Sequence, residues 1–162
     1  MIRPAQPKDS LAISEIYNHY VLHTVVTFEE EPVTPGEMEQ RVIEMQRKHS
    51  WLVWEENGNV IGYAYGGPWK VRAAYRHATE LSVYMHPHHT GKGIGPQLYH
   101  AIIKEMQALN MHALIGGVAL PNDASIKLHE SLGFTKIAQF REVGWKLGRW
   151  VDVAYWELVA GE

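Results

Sequence analysis

The segment His89-Thr90-Gly91-Lys92-Gly93-Ile94-Gly95-Pro96 limits what this chain can be more than any other. It stands between Thr79 to Met85, a strand-like run, and Pro96 to Leu109, the clearest helix, with Leu98, Ile102, Met106 and Leu109 on one face. Alternating glycines let successive backbone N–H groups converge on an anion, and a helix N-terminus adds positive dipole. Pro96 fits the first helical turn, where its missing N–H costs nothing. The arrangement is that of a pyrophosphate cradle, although a lone glycine motif also suits a plain flexible turn. A Walker loop is excluded, because Lys92 is followed by Gly93 and not by Ser or Thr. A dinucleotide fingerprint is excluded too, because the sixth position counted from Gly91 is Pro96.

The remaining elements define an α/β domain with a mixed sheet. Ile2 to Ala5 reads as a short strand, and Ile13, Ile16, Tyr17 and Tyr20 recur at helical spacing after Asp9, the expected N-cap. Thr34-Pro35-Gly36-Glu37 is a capping box opening a helix with Met38, Val42 and Met45 on its buried stripe. Trp51 to Glu55 and Val60 to Tyr65 flank Asn57-Gly58, a hairpin signal. Ala113 to Val118 is a strand, and Ser125 to Leu132 a short helix stopped at Gly133. The tail from Phe134 is strand-like and ends in Val151 to Val159. With 162 residues and no linker or repeat, one domain spanning 1–162 is expected.

Composition narrows the partners. A formal net charge of -3 gives no basic footprint for nucleic acid. Cysteine is absent, which removes disulfides, thiolate nucleophiles and Cys-based zinc sites together. The polar residues after Met1-Ile2-Arg3-Pro4 form no signal core, and no apolar run approaches a membrane span, so a cytoplasmic protein is expected. His86-Pro87-His88-His89 lacks helical i, i+4 spacing and an adjacent acidic ligand, so it reads as a solvated turn and no metal is expected.

Two spaced motifs carry a family resemblance. Glu80-Leu81-Ser82-Val83-Tyr84-Met85-His86-Pro87 with Thr90-Gly91-Lys92-Gly93-Ile94-Gly95 resembles the acetyl-CoA-binding core of GNAT N-acetyltransferases, with Thr90 where Arg or Gln is commonest. Asn122-Asp123-Ala124-Ser125-Ile126-Lys127-Leu128-His129-Glu130-Ser131-Leu132-Gly133-Phe134 is similar to that family's second landmark, with His129 in place of a tyrosine. Together with Leu120-Pro121 and Gly148-Arg149-Trp150-Val151-Asp152, these residues resemble the phosphinothricin/methionine sulfoximine acetyltransferase branch over nearly the whole chain. The resemblance implies the GNAT acyl-CoA N-acyltransferase fold, a mixed and mostly antiparallel sheet flanked by helices. It implies acetyl-CoA as co-substrate, direct attack by the α-amino group of a small amino-acid-like substrate, and a detoxifying, herbicide-resistance role. It also implies a homodimer with C-terminal segments near the neighbouring site, for which Trp145, Trp150 and Trp156 are interface candidates that core packing explains equally well.

Acetyl transfer from a thioester to an amine needs a neutral amine, a polarised carbonyl, a departing thiolate and aligned reactants. By resemblance Glu80 is the base and His129 the acid or shuttle for the thiolate, since imidazole titrates near neutrality. The resemblance assigns cofactor binding to the backbone of Val83, Tyr84 and Met85, to the turn Gly91, Lys92, Gly93, Ile94, Gly95 and Pro96, and to Asn122 and Ser131. For the substrate, arginine matches a carboxylate bidentately. Arg72 is the first choice and Arg76 the second in the stretch from Trp69 through Ala73, Ala74 and Tyr75, with Phe28, Trp69 and Tyr75 as walls. Either arginine equally suits a solvated loop. Other acceptors remain open: a polyamine near Glu29-Glu30-Glu31, an antibiotic, an arylamine or a protein N-terminus. So does a non-catalytic CoA-binding sensor.

Overall fold

A computed structural model describes residues 1–161. In chain order the elements are β1 (Ile2–Pro4), α1 (Ser10–His23), α2 (Pro35–Gln46), β2 (Trp51–Glu56), β3 (Asn59–Pro68), β4 (Ala78–Met85), α3 (Ile94–Ala108), β5 (Ala113–Ala119), α4 (Asp123–Ser131), β6 (Thr135–Lys146) and β7 (Arg149–Val159). They form one seven-stranded sheet in the order β1-β2-β3-β4-β5-β7-β6. Every neighbouring pair is antiparallel except β4 with β5. The expected mixed, mostly antiparallel sheet is the one found.

Local chemistry accounts for most boundaries. Thr34 Oγ1 accepts the Glu37 N–H at 3.1 Å, and Pro35 fills the first position of α2. Asn57 and Gly58 both adopt positive φ, 51° and 81°, and close the β2–β3 hairpin. Leu147 and Gly148 do the same, at 52° and 75°, and split the C-terminal tail into β6 and β7. Asp9 stands at the N-cap position of α1 without capping it; its carboxylate instead takes Arg3 at 2.8 Å. Helix α3 begins two residues before Pro96, because Gly93 at φ 75° turns the chain into the helix. Helix α4 begins at Asp123, because the Asn122 side chain accepts the Ser125 N–H.

Strand β3 shows how the layers are set. Gly62, Ala64 and Gly66 alternate with Tyr63 and Tyr65, so one face of the strand is small and the other aromatic. A Cβ at Gly62 would crowd Met85 and Leu98, and one at Gly66 would crowd Met106 and Thr79, so α3 lies directly on this small face. Leu98, Ile102 and Met106 of α3 are fully buried there, each burial contributing roughly 1.5–3 kcal/mol. On the aromatic face, Tyr63 joins Ile13, Val21, Val42 and Trp51 under α1 and α2. Trp156 is 1% exposed and belongs to the α3-side core. Its bulk goes into packing, which removes it from the interface candidates.

Candidate active site

The site begins where the sheet forks. Strands β4 and β5 pair only through Ala78, Thr79 and Glu80 with Ala113, Leu114 and Ile115. Beyond Glu80, β4 follows β3 to Met85, while β5 follows β7 to Ala119. The His86 N–H bonds the Ile61 carbonyl at 2.9 Å, which sets the phase of the antiparallel β3–β4 ladder. By alternation Glu80, Ser82 and Tyr84 bond β3, while Val83 and Met85 turn N–H and C=O into the fork and the Leu81 N–H makes the last ladder bond to β5, at Ile115. Of the three backbones expected to hold a cofactor, Val83 and Met85 face the opening and Tyr84 does not. The Met85 carbonyl already accepts the Tyr20 hydroxyl.

At the open end of β4 lies the glycine turn. Gly91 and Gly93 have φ of 77° and 75°, and a Cβ at either would meet nothing within 4 Å. Thr90, Lys92 and Pro96 are exposed, whereas Ile94 is buried beneath the turn and anchors α3. The turn is therefore exposed main chain, with open space beside both glycines, at a fifteen-residue helix's N-terminus. On the β5 side of the fork, Asn122 spends its side-chain oxygen on the α4 cap. Ser131 is exposed and bonds the Leu128 carbonyl at 2.8 Å.

Glu80 sits at the apex of the fork, on the aromatic face, in a cavity of about 540 Å³. Its lining includes Tyr17, Phe28, Tyr65, Tyr84, Phe140 and Tyr155. Burial raises the Glu80 carboxyl above the ordinary carboxylate range, against a smaller opposing pull from Lys70. Burial also pushes the Tyr17 hydroxyl up to about 12, and it raises Tyr155, with Glu80 adding to the effect. Glu80 is thus the one carboxyl in an otherwise uncharged, largely aromatic lining.

His129 is 4% exposed and stands behind β5. A Cβ on Gly116 would collide with the His129 ring and approach the Tyr99 hydroxyl, whereas one on Gly117 would meet Tyr155 in the cavity. Adjacent residues of a strand face opposite ways, so His129 and Glu80 lie on opposite faces of the sheet. Nδ1 of His129 donates to the Ser125 carbonyl at 2.7 Å, which leaves Nε2 to accept the Tyr99 hydroxyl at 2.6 Å. Burial lowers the His129 pKa, against a smaller opposing effect of the Ser125 hydrogen bond, which favours the neutral ring.

The loop of substrate candidates divides. The Trp69 ring packs edge-on against Tyr155, a cavity residue, at 5.3 Å without itself lining the cavity. Arg72, Ala73, Tyr75 and Arg76 instead line a second hollow, of about 820 Å³, with Met45, His49 and Pro68. Ala74 is exposed. Phe28 lines the cavity as expected. Sequence reasoning missed Tyr17, Tyr65, Tyr99, Phe140, Val143 and Tyr155, which come from five separate elements and share no motif. The alternation in β3 was the one visible signal, since it marks a face of tyrosines.

Residues 2–155 match the acetyltransferase (GNAT) domain. The chain belongs to the GNAT acetyltransferase family. It is 42% identical to the L-methionine sulfoximine/L-methionine sulfone acetyltransferase of Salmonella typhimurium, over 99% of this chain and 95% of that protein. It is 41% identical to the phosphinothricin N-acetyltransferase of Streptomyces viridochromogenes, over 96% of this chain and 85% of that one. A Salmonella typhimurium acetyltransferase solved with its cofactor acetyl-CoA superposes with a TM-score of 0.97 at 42% identity, over 100% of this chain and 94% of that one.

For a GNAT protein the fork and turn fit the cofactor's chemistry on their own geometry. A pyrophosphate needs convergent N–H donors with open space above them, as at Gly91 and Gly93. A pantetheine chain carries amides, and these find unpaired strand backbone at Val83 and at the Met85 N–H.

Proposed function

We propose that this GNAT enzyme transfers the acetyl group of acetyl-CoA to the α-amino group of a small amino-acid-like substrate, of the kind represented by methionine sulfoximine, methionine sulfone and phosphinothricin. The observation that carries the reading is Glu80, half-buried at the apex where the cofactor's fork meets the aromatic cavity. When bound, acetyl-CoA supplies the activated acyl group. The chain's residues do the rest. Glu80, with its pKa raised toward neutrality, takes the proton from the acceptor ammonium directly or through a water. The N–H groups of Val83 and Met85 line the path of the thioester, and the turn from Gly91 to Pro96 holds the pyrophosphate. His129 acts from behind the fork through Tyr99, not on the acceptor. Arg72, with Arg76 second, is the proposed partner for the acceptor carboxylate; among the described residues neither is ion-paired.

The proposal extends to the assembly and the compartment. Residues 1–162 act as one cytoplasmic domain, and no described helix is long and apolar enough to cross a membrane. Two copies pair through the β6–β7 hairpin, where Phe140, Val143, Trp145, Leu147 and Trp150 are all more than half exposed. Detoxification of such amino-acid analogues, and hence herbicide resistance, follows if phosphinothricin is among the acceptors.

Thiol release from acetyl-CoA across an acceptor panel tests the reading. Saturable turnover with the sulfoximine, the sulfone or phosphinothricin is expected, and little with spermidine, an aminoglycoside or an arylamine. Turnover confined to the latter three would discard the acceptor assignment. Acetyl-CoA binding without any turnover would discard the enzyme.

A further inference from the structure

Strand β6 loses register between Phe140 and Gly144. Glu142 in that bulge has a φ of 50°, and its N–H is held by the Asp152 carboxylate at 2.8 Å. The bulge brings Phe140 and Val143 to the cavity wall. Gly144 follows, paired with Val151 and buried. Its backbone is not in the left-handed region, so the main chain there accepts any residue. What a side chain would meet is the Phe28 ring, with which a Cβ at 144 collides.

Phe28 comes from the connection between α1 and α2, residues 24–34, which has no helix or strand to fix it. Its neighbour Thr27 is fixed twice. The Thr27 hydroxyl bonds the Tyr17 hydroxyl at 2.8 Å, and the Thr27 carbonyl accepts Lys146 Nζ at 2.7 Å. Lys146 is 3% exposed and also reaches the Tyr20 carbonyl at 3.4 Å, near the carboxyl end of α1. Its hydrogen bonds go to carbonyls only, with the Glu30 and Glu29 carboxylates acting at longer range, and all these partners except Tyr20 belong to the connection it ties down. Gly144 and Lys146 are two apart on one strand and share a face. One strand end therefore seats Phe28 and tethers Thr27.

We propose that Gly144 and Lys146 are positioning residues that set the width of the acceptor cavity through Phe28, and so determine the bulk of the acceptor side chain admitted. The inference rests on the cavity being the acceptor site. Initial rates with methionine sulfone and with phosphinothricin, on the full chain, test it in Gly144→Ala, Phe28→Ala, the double variant and Lys146→Met. Gly144→Ala is expected to raise acceptor KM roughly tenfold while kcat and acetyl-CoA KM stay within about twofold. In the double variant the added methyl no longer meets a ring, so it should match Phe28→Ala alone instead of summing. Lys146→Met should raise acceptor KM in the same direction, and decides the matter if Gly144→Ala does not fold. Additive effects, or a lowered melting temperature with unchanged acceptor KM, would overturn the proposal. If Phe28→Ala changes acceptor KM and neither Gly144→Ala nor Lys146→Met does, this inference alone falls. If Phe28→Ala leaves it unchanged, the cavity is not the acceptor site and both readings fall.

Discussion

The two halves of this active site are made of different material. The proposed cofactor side is main chain: the edge of β4 beyond Leu81 and two left-handed glycines before α3. The acceptor side is side chain: tyrosines from α1, β3, β4 and β7, phenylalanines from a connection and from β6, and one carboxylate. Backbone recognition asks little of residue identity beyond glycine, and it needs contiguous sequence to place the donors. Side-chain recognition draws on positions scattered over the chain. A main-chain half of this kind can serve any acceptor, whereas a side-chain half can set which acceptor is admitted.

Substitutions that separate the halves should do so in kinetics. The largest effect is expected from Glu80→Gln, which removes the proton acceptor and should lower kcat on the order of 100-fold or more, with acetyl-CoA KM little changed. Next is Gly93→Val. A β-branched residue at φ 75° is strained by about 1–3 kcal/mol, so acetyl-CoA KM should rise roughly tenfold or more while acceptor KM holds. A shared rise in both would mean that the halves are mechanically one. The smallest catalytic effect should come from Tyr99→Phe, which leaves His129 Nε2 as a buried acceptor without its donor. We expect a stability loss of about 1–3 kcal/mol by thermal melting, with kcat within roughly tenfold. A kcat loss beyond about a hundredfold in folded protein would make the pair part of the proton path to sulfur.

The same histidine gives a pH signature. Its folded pKa is depressed by burial, so the unfolded chain takes up the proton first as pH falls. The stability that depends on neutral His129 is complete above the ordinary histidine value, ~6.5, and is lost as pH drops toward the folded value. Melting temperature against pH, compared between the parent and His129→Gln, should show that limb flattened in the variant.

What could be read from the sequence follows the same division. The strand, turn and helix around Gly91 to Pro96 were legible because each signal is local: a β-rich run, glycines, then 3.6-residue periodicity. Glu80 was picked out only by the family resemblance of the strand that leads into that turn. The position of His129 was legible as well, but its environment was not. Whether a helix face points at a cavity or at Tyr99 behind the sheet depends on the twist and fork of strands far away in sequence. Phe28 was found as a wall, yet its seat at Gly144 was invisible, since a glycine in a strand carries no trace of the ring that requires it. Arg72 and Arg76 were proposed on charge chemistry alone, and the hollow they line, with Met45, His49 and Pro68, carried no signal in the sequence.

The central claim is that acceptor deprotonation happens at the fork on Glu80. Its most direct test is kcat/KM for methionine sulfone against pH, measured for the parent and for Glu80→Gln. The parent should show an acidic limb that falls through a pKa above the ordinary glutamate value, because the group must be ionised to act and burial has raised it. In the variant that limb should vanish along with most of the rate. An unchanged limb in Glu80→Gln, with the rate near that of the parent, would contradict it.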